Sequence, residues 1–144
     1  MSFRCEFRVI GDPKAQPRIK ATVRRGASHA TVYTPSTAKG WKESVVIQAR
    51  PHKPQWPLKG PLRVRLCFLF GRPQRLMRKK DPAGPIWHTV KPDRDNLEKA
   101  VLDCLTDDGW FCDDAQVCAG ESLKFYVEKG GEPGVRVCVE QLPC

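Results

Sequence analysis

The chain has 144 residues, a length that suits one domain with its own hydrophobic core. Apolar residues make up 40% of it but never form a run of 18, which excludes a membrane-spanning helix. The first residues alternate polar and apolar side chains and lack the apolar segment of a signal peptide, so we expect a cytoplasmic protein without a membrane partner.

Charge is distributed unevenly along the chain. The net charge is +9, yet residues 91–114 hold eight of the sixteen acids and only three bases. That segment carries −5, which leaves +14 on the other 120 residues. A basic surface attracts phosphate, and an acidic patch can hold cations that phosphate also binds. The distribution fits a metal-using nuclease, and it fits equally a solvated basic surface with one acidic loop.

The N-terminal third predicts a strand, a basic loop and a helix. Residues 3–10 alternate apolar and polar side chains, as a half-buried strand does. Residues 14–25 form a basic loop, which leads to a short strand near residues 30–33. Thr34 can cap a helix and Pro35 suits its first position, so we predict a helix from there to about residue 49.

The rest of the chain predicts further strands and a second helix. Residues 62–70 alternate like a strand, and the basic, breaker-rich residues 71–85 indicate a mobile surface loop. Apolar residues recur with helical spacing over residues 93–105. Two strands close the chain within residues 115–139. This order predicts an α+β fold of α/β-sandwich type, one domain of residues 1–144 with two main helices packed on a mixed, mostly antiparallel sheet.

The acidic segment begins with a motif that can carry chemistry. Pro92 disfavours a helical conformation at Lys91, so the chain arrives extended. Asp93 and Asp95 then stand at the start of the helix, where negative charge is stabilised. Lys99 follows Asp95 by four residues and lies above it, on the face opposite the apolar stripe.

A second acidic motif, Asp113-Asp114, follows a short turn at the entry to a strand. If that strand runs back beside the helix, it brings Asp114 near Asp93 and Asp95. Carboxylates that close together repel one another unless a divalent cation lies among them, and oxygen ligands beside phosphate suit Mg²⁺. Such an ion can activate water and stabilise the departing 3′ oxygen, while Lys99 neutralises charge at the phosphorus or orients the water.

Each residue alone has a plainer explanation. A single aspartate at a helix start is usually a cap, an i,i+4 Asp–Lys pair is usually a weak surface pair, and Asp-Asp is usually a turn signal. His88 is more simply structural than a catalytic base. The seven cysteines include no CxxC pair, so we expect reduced thiols, several of them in the core, rather than zinc ligands.

The motifs taken together are far more specific than any of these residues alone. KPDRDN with a lysine three residues later, an amphipathic helix, and DDAQV about twenty residues after the first acid resemble the RusA-type Holliday junction resolvases. GDPKAQPR at residues 11–18 and LDCL at residues 102–105 are also similar to family motifs. The resemblance covers most of the chain and is strongest over residues 91–117.

This resemblance implies a homodimer that binds four-way branched DNA and nicks two strands symmetrically with Mg²⁺, for which Mn²⁺ can substitute. It makes Asp93, Asp95 and Asp114 the essential, metal-binding acids, with Lys99 assisting in catalysis and Asp113 an adjacent metal ligand. Because such enzymes are frequently encoded by bacteriophages and prophages, a bacterial or phage-infected cell is the expected setting.

Basic residues outside the acidic motifs are expected to bind DNA phosphates. They are Lys14, Arg18, Lys20, Arg24, Arg25, Arg78, Lys79, Lys80 and Lys91. Two alternatives remain open: a metal nuclease that acts on flaps, termini or RNA, and a non-catalytic DNA-binding protein whose acids only cap and turn. Cleavage assays on junction, flap and duplex substrates separate the first alternative, and a lack of Mg²⁺-dependent cleavage indicates the second.

Overall fold

Two helices lie against a five-stranded sheet in the computed structural model, which describes residues 2–144. The sheet order is β1-β7-β4-β6-β5, and each neighbouring pair is antiparallel except β4–β6. The predicted α+β fold, with two helices on a mixed, mostly antiparallel sheet, is confirmed. Within these residues, neither helix is long and apolar enough to cross a membrane. The elements are β1 (Arg4–Ile10), β2 (Lys20–Thr22), β3 (Thr31–Tyr33), α1 (Lys39–Ala49), β4 (Leu62–Phe70), β5 (Ile86–Trp87), α2 (Arg94–Asp107), β6 (Val117–Tyr126) and β7 (Gly134–Gln141).

The core lies between the helices and one face of the sheet. Strand alternation supplies this face, because every second residue of β4 from Leu62 to Phe68 is fully buried. The apolar stripe of α2 covers it with Leu97, Val101 and Leu105, which have no exposed surface. Burial of this kind contributes about 25 cal/mol for each Å² of apolar surface removed from water. Packing therefore fixes α2 on the sheet.

The first helix begins later than the sequence predicts. Thr34 and Pro35 remain outside regular structure after β3, and α1 starts at Lys39 with Ala38 as its N-cap residue. The prediction that Thr34 caps this helix is wrong, because a turn closed by the hydrogen bond from the Lys39 amide to the Ser36 carbonyl (3.2 Å) comes before the helix, and no side chain caps it. The predicted end at Ala49 is confirmed.

The basic region after β1 contains a small β-hairpin. Its strands β2 and β3 pair antiparallel as a separate two-stranded sheet, and all six of their residues are exposed. Ile19, Val23 and Val32 expose more than 60% of their surface. A two-stranded hairpin without a covered face is marginally stable in isolation. This arm therefore presents its side chains to solvent or to a partner.

The stretch between β4 and β5 is anchored rather than free. Arg72 donates hydrogen bonds to the carbonyl oxygens of Val127 (2.8 Å) and Leu76 (3.0 Å). Lys129, in the turn before β7, donates to the carbonyl oxygens of Arg78 (2.7 Å) and Asp81 (2.9 Å). The predicted surface loop is present, but these cations tie it to the β6–β7 turn.

All seven cysteines are free thiols, and Cys104 and Cys138 are buried. Burial raises the pKa of the Cys104 thiol to about 11. That thiol is therefore protonated at neutral pH and serves as an apolar packing group.

Candidate active site

Asp93 and Asp95 stand at the N-terminal end of α2. Asp93 is the N-cap residue in an extended conformation, yet its side chain accepts no hydrogen bond from the helix backbone. Asp95 lies in the first turn, where its Oδ1 accepts a hydrogen bond from the Asn96 amide at 2.9 Å. Both aspartates are exposed. The helix terminus stabilises their charges while other carboxylate oxygens stay open to a ligand.

A lysine from the sheet holds the segment that leads into α2. Lys124, on β6, donates hydrogen bonds from Nζ to the carbonyl oxygens of Val90 (2.7 Å) and Pro92 (2.6 Å). These carbonyls lie on either side of the Lys91–Pro92 peptide bond and directly precede Asp93. Charge-assisted hydrogen bonds are about twice as strong as neutral ones. Lys124 therefore fixes the backbone that positions Asp93.

The loop after β1 packs on the same end of α2. The Gln16 amide donates a hydrogen bond to the Asn96 carbonyl at 2.9 Å. The same loop carries Arg18, which lines one shallow cavity of about 620 Å³ together with Lys91 and Asp93. Two predicted phosphate-binding cations thus lie beside a predicted catalytic acid.

The second acidic motif is built around a capping box. Asp113 Oδ1 accepts a hydrogen bond from the Ala115 amide at 2.9 Å, which caps the short 3-10 helix Asp114–Gln116. The Gln116 side chain accepts from the Asp113 amide and donates to the carbonyl oxygens of Leu58 (3.1 Å) and Gly60 (3.0 Å). One oxygen of Asp113 is therefore committed to structure. Asp114 is exposed.

The two acidic motifs lie at opposite ends of α2. Its 14 residues span about 21 Å, and the chain reaches Asp114 only after this length. β6 then runs back and approaches the Asp93 end at Ser122 and Lys124, where Ser122 O accepts from Arg94 at 3.5 Å. Within residues 2–144, no three carboxylate, histidine or cysteine side chains gather as a metal site. The expectation that Asp114 joins Asp93 and Asp95 within one chain is wrong.

Counter-ions divide the acidic segment into two groups. Asp108 pairs with Arg50 (3.4 Å) and Lys53 (4.0 Å), and Asp103 pairs with Lys99 Nζ (3.6 Å). In the described part of the chain, no basic nitrogen lies within 4 Å of the carboxylates of Asp93, Asp95 or Asp114. Lys99 thus contacts the acid one turn after it, although the sequence predicts it above Asp95. The motif acids are thus among those left available for a cation, together with Glu98 and Asp107.

The predicted DNA-binding residues form three groups. Lys20 is on β2, and Arg24 and Arg25 lie in the turn region of the hairpin. The anchored loop carries a second group, in which Arg78 already contacts Asp81 at 3.7 Å. Lys79 and Lys80 in that loop are exposed. Lys14, Arg18 and Lys91 line the two cavities at the start of α2.

The donor set suits a hard divalent cation. Mg²⁺ keeps several waters and binds through one or two carboxylates together with substrate oxygens, so it does not require a closed protein cage. Asp93 and Asp95 offer carboxylate oxygens at a solvent-accessible position beside basic side chains. The residues present therefore fit such an ion with a phosphate substrate.

Two residues that position the acidic motifs, Lys124 and Gln116, are not predicted from the sequence. Lys124 lies in a strand and resembles any exposed lysine, so no sequence signal marks it. Gln116 had a signal, because Asp-x-x-Gln is a capping-box pattern.

Exposed carboxylates without counter-ions can hold a divalent cation for phosphodiester cleavage, and the basic side chains beside them can bind the phosphate. Residues 11–140 match the family Endodeoxyribonuclease RusA. The chain is also similar to an uncharacterized protein, YqaN, of Bacillus subtilis (strain 168), with 32% identity over 142 residues that cover 95% of this chain and 96% of the relative. The chain belongs to the RusA endodeoxyribonuclease family. Membership implies an endonuclease of Holliday junction type that acts on branched DNA in recombination, and it indicates a divalent metal.

Replacing Lys124 with Met should loosen the backbone before Asp93 and weaken metal use. We expect the metal concentration for half-maximal cleavage to rise about 10- to 100-fold, the usual cost of losing an outer-sphere support. Lys129→Met is the matched control, because Lys129 also clamps two carbonyls but in the β4–β5 loop. The measurement is a divalent-metal titration of cleavage, with thermal melts to confirm folding. An unaltered titration for folded Lys124→Met would exclude the positioning role.

Proposed function

We propose that this chain is a Mg²⁺-dependent, structure-selective endodeoxyribonuclease that resolves four-way DNA junctions by paired symmetric nicks, with Mn²⁺ as a substitute. Residues 1–144 act as one endonuclease domain, in the cytoplasm of the bacterial or phage-infected cell that holds its DNA. The observation that carries the proposal is the position of Asp93 and Asp95. They are exposed and without counter-ions, next to Arg18 and Lys91.

In this proposal Asp93, Asp95 and Asp114 hold the ion, and Asp113 offers the carboxylate oxygen that does not cap the turn. The bound ion would supply an activated water and stabilise the departing 3′ oxygen. Lys99 lies one helical turn from Asp95 and stabilises charge at the phosphate. Its pair with Asp103 does not prevent this, because exposed pairs contribute only about 0–1 kcal/mol and exchange readily.

The separation of the acids bears directly on the proposed homodimer. The whole of α2, about 21 Å long, lies between Asp93 and Asp114 along the chain, and the described residues contain no group of three acids that could hold a metal. We infer that a site that uses both motifs combines two chains. A C₂ dimer supplies this twice, because each chain then gives Asp93 and Asp95 to one site and Asp114 to the other. Two sites related by a two-fold axis also match the approximate two-fold symmetry of a four-way junction. The dimer thereby accounts for both metal binding and paired nicking.

The basic groups supply affinity for the branched DNA. The hairpin arm carries Lys20, Arg24 and Arg25 without an acid nearby in sequence, and the anchored loop adds Arg78, Lys79 and Lys80. Each phosphate contact releases a condensed counterion, which makes binding depend on salt. Lys14, Arg18 and Lys91 would align a strand at the acids.

The first test separates catalysis from binding. Asp93→Asn, Asp95→Asn and Asp114→Asn should each slow cleavage of a four-way junction at least about a hundredfold, while junction binding is retained or tightened because negative charge is removed. Glu43→Gln, an exposed change on α1, is the control. Cleavage should be strongest on junctions compared with flaps and duplexes. Near wild-type cutting by an Asp variant would remove that residue from the site, and binding without any metal-dependent cutting would favour a non-catalytic protein.

The second test asks whether the site is shared between chains. Asp93→Asn and Asp114→Asn proteins should each be inactive, but a mixture that exchanges subunits should regain nicking. The heterodimer contains one site with all its acids intact and one that lacks two. Single-strand nicking with little paired resolution is the expected product. If the mixture stays inactive although subunit exchange is shown by tagged copies, the site is not shared.

The third test concerns the hairpin arm. Replacing Lys20, Arg24 and Arg25 with Ala should lower the slope of log affinity against log salt by about 0.9 for every phosphate that the arm no longer neutralises. The control removes Arg50 and Lys53, which already pair with Asp108. The same measurement on Lys79→Ala with Lys80→Ala assesses the loop. A slope unchanged from wild type would assign the hairpin cations to solvated surface.

A further inference from the structure

A second cavity of about 550 Å³ lies directly beside the Asp93 cavity and shares Lys91 and Pro92 as a wall. Its size falls within the range of about 300–1,000 Å³ that is usual for small-molecule sites. The loop after β1 forms one side, and the ends of β4, β5 and β6 form the floor. Its lining residues include Asp12, Lys14, Gln16, Phe70, His88 and Tyr126.

The floor of this cavity is aromatic. The His88 ring stacks on Phe70 with centroids 4.1 Å apart and planes inclined by 22°, and it lies 4.7 Å from the Tyr126 ring. His88 is only 8% exposed, so the stack is firmly held. Tyr126 is also only 8% exposed, whereas Phe70 is half-buried, so Phe70 is the ring on which a further flat ring can stack.

Two polar atoms of the lining residues lack hydrogen-bond partners. Nδ1 of His88 and Oε1 of Gln16 are buried, and neither has a partner within residues 2–144. A buried polar atom without a partner is costly, so such atoms call for explanation in a native fold. Burial, and then the nearby Lys124 charge, lowers the pKa of His88. The ring is therefore neutral at neutral pH, with one donor and one acceptor nitrogen.

We propose that this cavity binds a single unpaired nucleobase of the DNA substrate, adjacent to the phosphate that is cut. The inference rests on the proposed function, since it names a subsite for that substrate. Lys14 and Lys91 at the rim would hold the flanking phosphates, and the aromatic floor would take the base. The side chains of His88 and Gln16 offer the donors and acceptors that a base edge requires.

A branched substrate makes such a subsite usable. A base inside a duplex must break its pair and its stacking before it can enter a cavity, and this costs least where the base is already unpaired. The centre of a junction holds bases at strand exchanges, where stacking is interrupted. The cavity would thus favour branch points over duplex DNA. Pro92 forms part of its wall, and Asp93 is the next residue in the chain.

The test is an abasic scan of a four-way junction. One nucleotide at a time near the cut is replaced by a tetrahydrofuran abasic residue, and both cleavage rate and metal-free binding are measured. For the wild type, one position should slow cleavage about tenfold, whereas its neighbours have little effect. His88→Phe, which keeps the ring stack, and Gln16→Leu should slow cleavage of the intact junction by a similar factor. At the sensitive position they should show no further loss, because coupled changes are not additive. Gln55→Leu, away from the cavity, is the control.

The outcomes separate this proposal from the function on which it rests. If the wild type cuts junctions but no single abasic position matters, the base subsite is wrong and the nuclease assignment stands. If the variants keep the full abasic penalty, the base binds elsewhere and the proposal is equally overturned. Loss of the penalty in both variants, with Gln55→Leu like wild type, supports it. A protein that cuts no branched DNA at all would instead overturn the proposed function.

Discussion

The attachment of α2 to the sheet is the constraint that fixes the positions of both acidic motifs. Leu97, Val101 and Leu105 are fully buried under the helix, so it cannot shift without exposing core surface to water. One acidic motif precedes and the other follows this helix of 14 residues, which is itself about 21 Å long. The same attachment that makes Asp93 well placed therefore keeps Asp114 away from it. If both motifs serve one metal site, as proposed, the catalytic unit combines two chains.

Counter-ions then separate the acids that are already neutralised within the fold from those that are not. In the acidic segment, Asp103 and Asp108 have cationic neighbours, and these pairs use their charge within the fold. The motif aspartates have none, and at a helix start their charge is tolerated without neutralisation. The 120 residues outside this segment carry a net charge of +14, which draws phosphate toward the motif aspartates. Substrate and metal would each relieve the repulsion that the other meets, so binding of the two is expected to be cooperative.

Backbone carbonyls clamped by cations recur in the irregular segments. Lys124 holds the turn before Asp93, while Lys129 and Arg72 hold the long loop between β4 and β5. Loops lack the ladders of hydrogen bonds that satisfy carbonyls in strands and helices, and a lysine can serve two carbonyls at once. These clamps allow polar loops to keep a defined shape next to a site. They also give a loop rich in breakers fixed attachments to the β6–β7 turn.

The strand-like and helix-like spacing of apolar residues and the two acidic motifs could be predicted from the sequence alone. Alternation over residues 62–70 and helical spacing after Asp93 follow directly from burying one face of each element, so those predictions match the structure. The start of α1, the clamp by Lys124 and the distance from Asp93 to Asp114 emerge only in the folded chain. Each depends on which segments meet in space, and residues distant along the chain leave no period or spacing from which such a meeting can be deduced.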